Sequence, residues 1–202
     1  IYNKSEYKMK KFAYLSGLAV TLLLTGCVTT TGSSGNVSYG DSKAVETVSN
    51  EFGSTDLQLI AEKMSQSLVQ TGVLKSRPLV TIAEVKNKTS EYIDTRAITD
   101  TIRSSLLKSG TVRFAVDTVG MQNQVDELSR QNQSGLYNKG KSAKMGRMEG
   151  AKYRLEGNII SIVKKTNDVK DVYYKFSLQL IDNEVGEIVW ADEKDIRKTS
   201  KR

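Results

Sequence analysis

Histidine is absent from this chain, and cysteine, proline and tryptophan occur once each, as Cys27, Pro78 and Trp190. Without histidine the chain lacks the commonest general base and the commonest metal ligand. A single thiol excludes a disulfide framework, so the fold must stand on its hydrophobic core. The sequence has no nucleophile elbow, no glycine-rich phosphate loop after a strand, and neither EF-hand nor other metal-ligand spacing. Asp182, Glu184 and Glu187 gather at one turn with Asp192, Glu193 and Asp195 close behind, and such acid clusters read as solvated turns rather than catalytic pairs or calcium sites. The chain therefore predicts no catalytic residue, no metal, no cofactor and no small-molecule substrate. It also has no apolar run of the about 20 residues that a membrane-spanning helix needs.

What is present begins with a short apolar run, residues 12–24, preceded by Lys8, Lys10 and Lys11 and followed by Thr25, Gly26 and Cys27. A positive segment, an apolar segment of this length and small residues before a cysteine make the pattern of a bacterial lipobox. It predicts a signal peptide over residues 9–26, cleavage between Gly26 and Cys27, and a lipid on Cys27 that anchors the protein to a membrane. Met9 reads as the natural start and residues 1–8 as upstream sequence. Loss of the first 26 residues takes Lys4, Lys8, Lys10, Lys11 and Glu6 from the 30 cations and 23 anions, and leaves a net charge of about +4. That modest charge and an extracytoplasmic location argue against nucleic acid as a partner. Residues 28–50 are rich in Thr, Ser and Gly with no apolar periodicity, and read as a flexible tether spanning residues 27–51.

From residue 52 to 202 the pattern is that of one α/β domain. Leu57, Ile60, Ala61, Met64 and Leu68 repeat at helical spacing, with Ser54 or Thr55 as the cap and Gly72 as the stop. Residues 79–85 form a β-branched strand, and residues 86–92 a polar loop. Asp94 or Thr95 opens a second helix with Ala97, Ile98, Ile102 and Leu106 inward, closed by Gly110. Residues 112–119 are a strand candidate, residues 121–133 a third helix with Val125 and Leu128 inward, and residues 143–149 a short helix ended by Gly150. Three alternating strands follow, over residues 153–163, 172–180 and 188–196, with turn residues between them, and predict an antiparallel meander. Along the middle strand Val172, Tyr174, Phe176, Leu178 and Leu180 share one face.

Several strings then carry a resemblance. Phe52-Gly53-Ser54-Thr55-Asp56-Leu57-Gln58, Lys88-Thr89-Ser90-Glu91-Tyr92-Ile93-Asp94-Thr95, Asp171-Val172-Tyr173-Tyr174-Lys175-Phe176 and Gly186-Glu187-Ile188-Val189-Trp190-Ala191-Asp192-Glu193-Lys194 resemble the LpoB-type activators of penicillin-binding proteins, in order and over essentially the whole folded part. The resemblance implies a mixed β-sheet with flanking helices, similar to the N-terminal domain of TolB. It implies an outer-membrane lipoprotein facing the periplasm that docks on a class A penicillin-binding protein of the 1B type. There it would stimulate the glycosyltransferase and transpeptidase of peptidoglycan synthesis without itself being an enzyme. Val28 after the cysteine, where aspartate would signal retention at the inner membrane, fits that destination.

Some relatives carry a long proline-rich tether, whereas this one has no proline. A Gly/Ser/Thr tether of about 25 residues reaches about 25 to 30 Å on average. Candidate partner-binding residues are Lys88, Glu91, Tyr92 and Asp94 in the loop of residues 87–94, where charge accompanies an aromatic anchor, and Lys164, Lys165 and Lys170 at a basic hairpin tip. Tyr173 and Trp190 are expected to pack in the sheet. The competing reading is a structural or secretion-assembly envelope lipoprotein with a TolB-like fold; the segment Gly150-Ala151-Lys152-Tyr153 is common to several such proteins and does not separate the two.

Overall fold

The first helix buries Ile60, Ala61, Met64 and Leu68 along one stripe, while Leu59 and Glu62 stay outside. In the computed structural model, which describes residues 40–201 apart from the side chains of Thr118 and Val119, that stripe faces a five-stranded sheet. The lipobox, Cys27 and the first part of the tether lie outside the described residues. In chain order the elements are α1 (Ser54–Gln70), β1 (Leu79–Lys88), α2 (Thr95–Ser109), β2 (Arg113–Phe114), α3 (Thr118–Gln133), β3 (Tyr153–Lys165), β4 (Val169–Asp182) and β5 (Ile188–Lys201).

The sheet order is β2-β1-β3-β4-β5, with β2 and β3 parallel to β1 and the remaining pairs antiparallel. α1 lies against β5 and α2 against β1, and the two helices pack on each other. One core results, in which Tyr174, Phe176, Ile60, Met64, Ile98, Ile102 and Leu106 are almost wholly removed from water. Each such side chain contributes about 1.5 to 3 kcal/mol of burial free energy. The expected face of β4 is the buried one: Val172, Tyr174, Phe176, Leu178 and Leu180 are all at most 3% exposed. The meander is present; β4 runs longer at both ends than its apolar core suggested, and β3 and β5 start where expected and run longer at their C-terminal ends. Trp190 packs in the core as expected, its indole N–H 3.4 Å from Ser67 Oγ.

Other expectations need correction. α1 is capped by Gly53, not by Ser54 or Thr55; Asp56 reaches back to accept the Gly53 N–H at 2.8 Å, and Glu46 accepts the Ser54 N–H at 2.9 Å. β1 continues to Lys88, so the loop after it is shorter than residues 86–92 suggested. The run 112–119 pairs only at Arg113 and Phe114, because Asp117 accepts the Gly120 N–H and opens α3 there. On α3, Val125 is 44% exposed and Leu128 half-buried, since no sheet or helix packs closely over this element. Residues 143–149 form no helix; Gly146 takes a positive φ of 74° and the segment has no buried face to stabilise a helical turn.

The folded unit also begins earlier than residue 52, at Asp41. Residues 42–52 lie as a strap across the start of α1 and the ends of β4 and β5. Ser42 O accepts from Gln58, Thr55 Oγ1 is 3.4 Å from Ala44 O, and Thr55 Oγ1 accepts the Glu46 N–H at 2.8 Å. Farther along, Asn50 Nδ2 donates to Lys170 O and Ser200 Oγ.

Candidate docking surface

Because β1 and β3 run parallel, the C-terminal end of β1 and the hairpin between β3 and β4 lie at the same end of the sheet. Lys88 stands opposite Ile160, and the hairpin follows within a few residues. The two segments singled out from sequence therefore converge. The strap and the last residues of β5 arrive at this end too, so Lys170 and Ser200 are joined through Asn50.

The side chains divide into those that hold this end together and those that face outward. Glu91 belongs to the first kind. Its carboxylate accepts the Phe52 N–H at 3.2 Å and the Tyr174 hydroxyl in a short hydrogen bond, while its carbonyl accepts from Asn87 Nδ2 and Thr89 Oγ1, both at 2.9 Å. Phe52 then stands edge-on to Tyr174, with ring centroids 5.8 Å apart. Burial, and next the bond to Glu91, push the Tyr174 phenol well above its ordinary pKa. Asp56, 1% exposed, pairs with Lys198 at 2.5 Å, and Lys198 donates to Glu51 O at 2.6 Å. Asp94 is the N-cap of α2, accepting from the N–H groups of Arg96 and Ala97 at 3.0 and 3.2 Å. Glu91 and Asp94 thus fix both sides of one residue, Tyr92, which is 92% exposed.

Tyr92 projects beside a slot of about 750 Å³ bounded by Ile82, Val85, Arg96 and Arg103. It borders β1 beyond Val80, where β2 no longer pairs. Lys88, Lys164 and Lys165 are exposed and Lys170 is half-exposed. Next to them Arg197 grips Asp171 at 2.8 to 3.2 Å, with Thr199 Oγ1 at 2.8 Å from the same carboxylate. The guanidinium first, and then the threonine, hold the Asp171 carboxyl below its ordinary range. Around the tip the outward face is thus mainly basic, with one exposed aromatic on backbone held from both sides.

The acid clusters are accounted for differently. Asp182 accepts the Glu184 N–H at 2.8 Å in the turn that Gly186 completes with a φ of 74°. Asp192 pairs with Lys63 and Glu193 with Lys175. Among the described residues no group of three His, Cys, Asp or Glu side chains is placed to hold a metal ion. No described helix is long and apolar enough to cross a membrane. Sequence reasoning missed the strap and its clasp, Glu46, Asn50, Asp56 and Lys198; the one available signal was the string from Phe52 to Asp56 leading into α1.

Residues 56–196 match the family described as peptidoglycan-synthase activator LpoB. The LpoB C-terminal domain from Escherichia coli is 19% identical, with 68% of this chain and 94% of that one covered and a TM-score of 0.42. The corresponding domain from Salmonella enterica is 20% identical over 69% and 94%, with a TM-score of 0.38. Lipoprotein GNA1162 from Neisseria meningitidis is 12% identical over 61% and 84%, with a TM-score of 0.40. Among curated protein sequences none matches. The family match starts at the clasped Asp56 and ends at Ile196 in the core, and so takes in all five strands, β5 as far as Ile196, and nearly all of the helices: this chain belongs to the LpoB family of peptidoglycan-synthase activators.

Proposed function

We propose that this protein is held at the outer membrane by a lipid on Cys27, faces the periplasm, and docks on a bifunctional class A penicillin-binding protein of the 1B type. It raises the glycosyltransferase and transpeptidase rates of that synthase and catalyses no step itself. The observation that carries the docking face is the convergence of Tyr92 and Lys88 with Lys164, Lys165 and Lys170 at one end of the sheet. An exposed tyrosine whose backbone is fixed on both sides needs to order only its side chain on binding, which lowers the cost of using it as an interface anchor. The lysines add long-range attraction to an acidic partner surface and speed encounter.

Activation follows from differential affinity. A ligand shifts a synthase from a resting to an active conformation only by as much as it binds the active one better, and a tenfold shift requires about 1.4 kcal/mol of preference. Glu91 and Asp94 support the face from within: they orient Tyr92 and do not themselves meet the partner.

The test is to titrate the chain from Asp41 onward into a class A synthase from the same cell while following lipid II polymerisation. Stimulation is expected, and Tyr92→Ala is expected to raise the half-maximal concentration roughly tenfold or more with the thermal midpoint unchanged. An unchanged rate together with no detectable binding would remove this partner.

A further inference from the structure

The irregular segment that joins α3 to β3 carries a chemistry that the docking end does not use. From Leu128 to Met148 the chain has no aspartate or glutamate. Lys139, Lys141, Lys144 and Arg147 are exposed there, and among the described residues their side chains enter no ion pair and no hydrogen bond. The nearest acid beyond, Glu149, is held by both terminal nitrogens of Arg113 at 2.7 and 2.9 Å. Among and beside the cations in the chain stand Leu136, 85% exposed, and Met145 and Met148, 56% and 50% exposed.

This segment is ordered against α3. Asn132 Nδ2 donates to Ala143 O at 2.9 Å, the Ala143 N–H donates to Gln131 Oε1 at 2.8 Å, and Ser142 Oγ donates to Gln131 O at 3.3 Å. Between segment and helix lies an apolar groove of about 450 Å³, lined by Leu79, Val116, Met121, Leu128 and Met148 with Lys144 and Arg147 alongside.

We infer that this segment and the adjoining side of α3 form a second surface, one that settles on an anionic phospholipid bilayer. Three of its four unpaired cations are lysines, hydrated point charges suited to a diffuse sheet of phosphates rather than to the forked recognition of one carboxylate. They are spread over nine residues of irregular backbone, and the groove beside them is lined mainly by apolar side chains rather than by donors that would order the acids of a peptide. Methionine and leucine are the flexible apolar side chains that enter the headgroup boundary at low cost, and clustered cations add attraction to the anionic surface. Position agrees as well. β3 separates Lys152 from the hairpin tip by about 40 Å of strand, so the docking end stays free while this surface is occupied.

The experiment is flotation of the chain from Asp41 onward, whose single core lies wholly within it, with vesicles of phosphatidylcholine and of an equal phosphatidylcholine and phosphatidylglycerol mixture. Binding to the anionic vesicles is expected to exceed that to neutral ones roughly tenfold or more and to fall at high salt. Combined Lys139→Glu, Lys141→Glu and Lys144→Glu is expected to abolish it, and Leu136→Asn with Met145→Gln to weaken it several-fold, with circular dichroism and synthase stimulation unchanged. Equal binding to both vesicles, no binding to either, loss on Lys164→Glu with Lys165→Glu instead, or capture of a polyglutamate peptide without vesicle binding would each overturn the inference.

Discussion

At the scale of single residues, two glycines and one tyrosine decide more than their size suggests. A Cβ at Gly157 would lie 2.1 Å from the backbone oxygen of Ser177, where β3 and β4 curl together, and backbone cannot step aside as a side chain can. Gly157→Ala is expected to cost about 2 to 3 kcal/mol, read as a fall in denaturation midpoint with an unchanged slope. At Gly53 the same atom would meet the Glu46 carboxylate at 2.0 Å, a flexible side-chain end, so a residue with a Cβ there would push that carboxylate off the Ser54 N–H it accepts from. Tyr174 supplies a pH dependence. Its phenol holds its proton more tightly folded than unfolded, so its contribution is complete below the ordinary phenol pKa of about 10 and is lost as pH rises past it. Alkaline denaturation is therefore expected to begin near pH 10 and to be flatter in Tyr174→Phe, measured as thermal midpoint against pH.

At the scale of elements the strap is the least expected part. Removing residues 41–53 deletes the Asn50 and Glu46 hydrogen bonds, takes away Phe52 and so uncovers Tyr174. With about 1 kcal/mol for each net hydrogen bond and about 1.5 for a partly buried phenylalanine, a chain beginning at Ser54 should lose about 3 to 4 kcal/mol against one beginning at Asp41. Urea unfolding of the two chains measures the difference. The contrast with β4 shows what a sequence displays. Val172, Tyr174, Phe176, Leu178 and Leu180 alternate, and alternation alone assigns their face. Asn50 and Ser200 are polar, 150 residues apart, and follow no period, so nothing local marks their meeting. Glu91 read as a candidate partner contact in a polar loop because the residues it holds, Phe52 and Tyr174, are far away in the chain. Residues 112–119 misled for the opposite reason: β-branched composition outvoted Asp117, whose capping carboxylate starts α3. Candidate positions were thus legible as segments, while which of their side chains are bonded inward and which face outward needed the tertiary structure.

At the scale of the molecule, acid should loosen the fold. Arg197 holds Asp171, Gln179 holds Glu156, and at Asp192 burial is outweighed by Ser67 and Lys63, so all three carboxyls sit below their ordinary values. The unfolded chain binds these protons more tightly, so their contribution is full above the ordinary carboxylate range, near pH 4, and disappears as pH falls through it. The thermal midpoint is expected to hold between pH 7 and 5 and to drop below 4, and to drop less in Asp171→Asn with Arg197→Gln. The strap has one more consequence, mechanical in kind. A load applied at Gly40 meets Ser42, Ala44, Glu46 and Asn50 one after another, as a peel rather than a shear. Bonds loaded singly give way at low force, so stretching would release about 40 Å of chain before the sheet felt any tension. A short leash is thereby backed by a reserve of slack stored on the folded body.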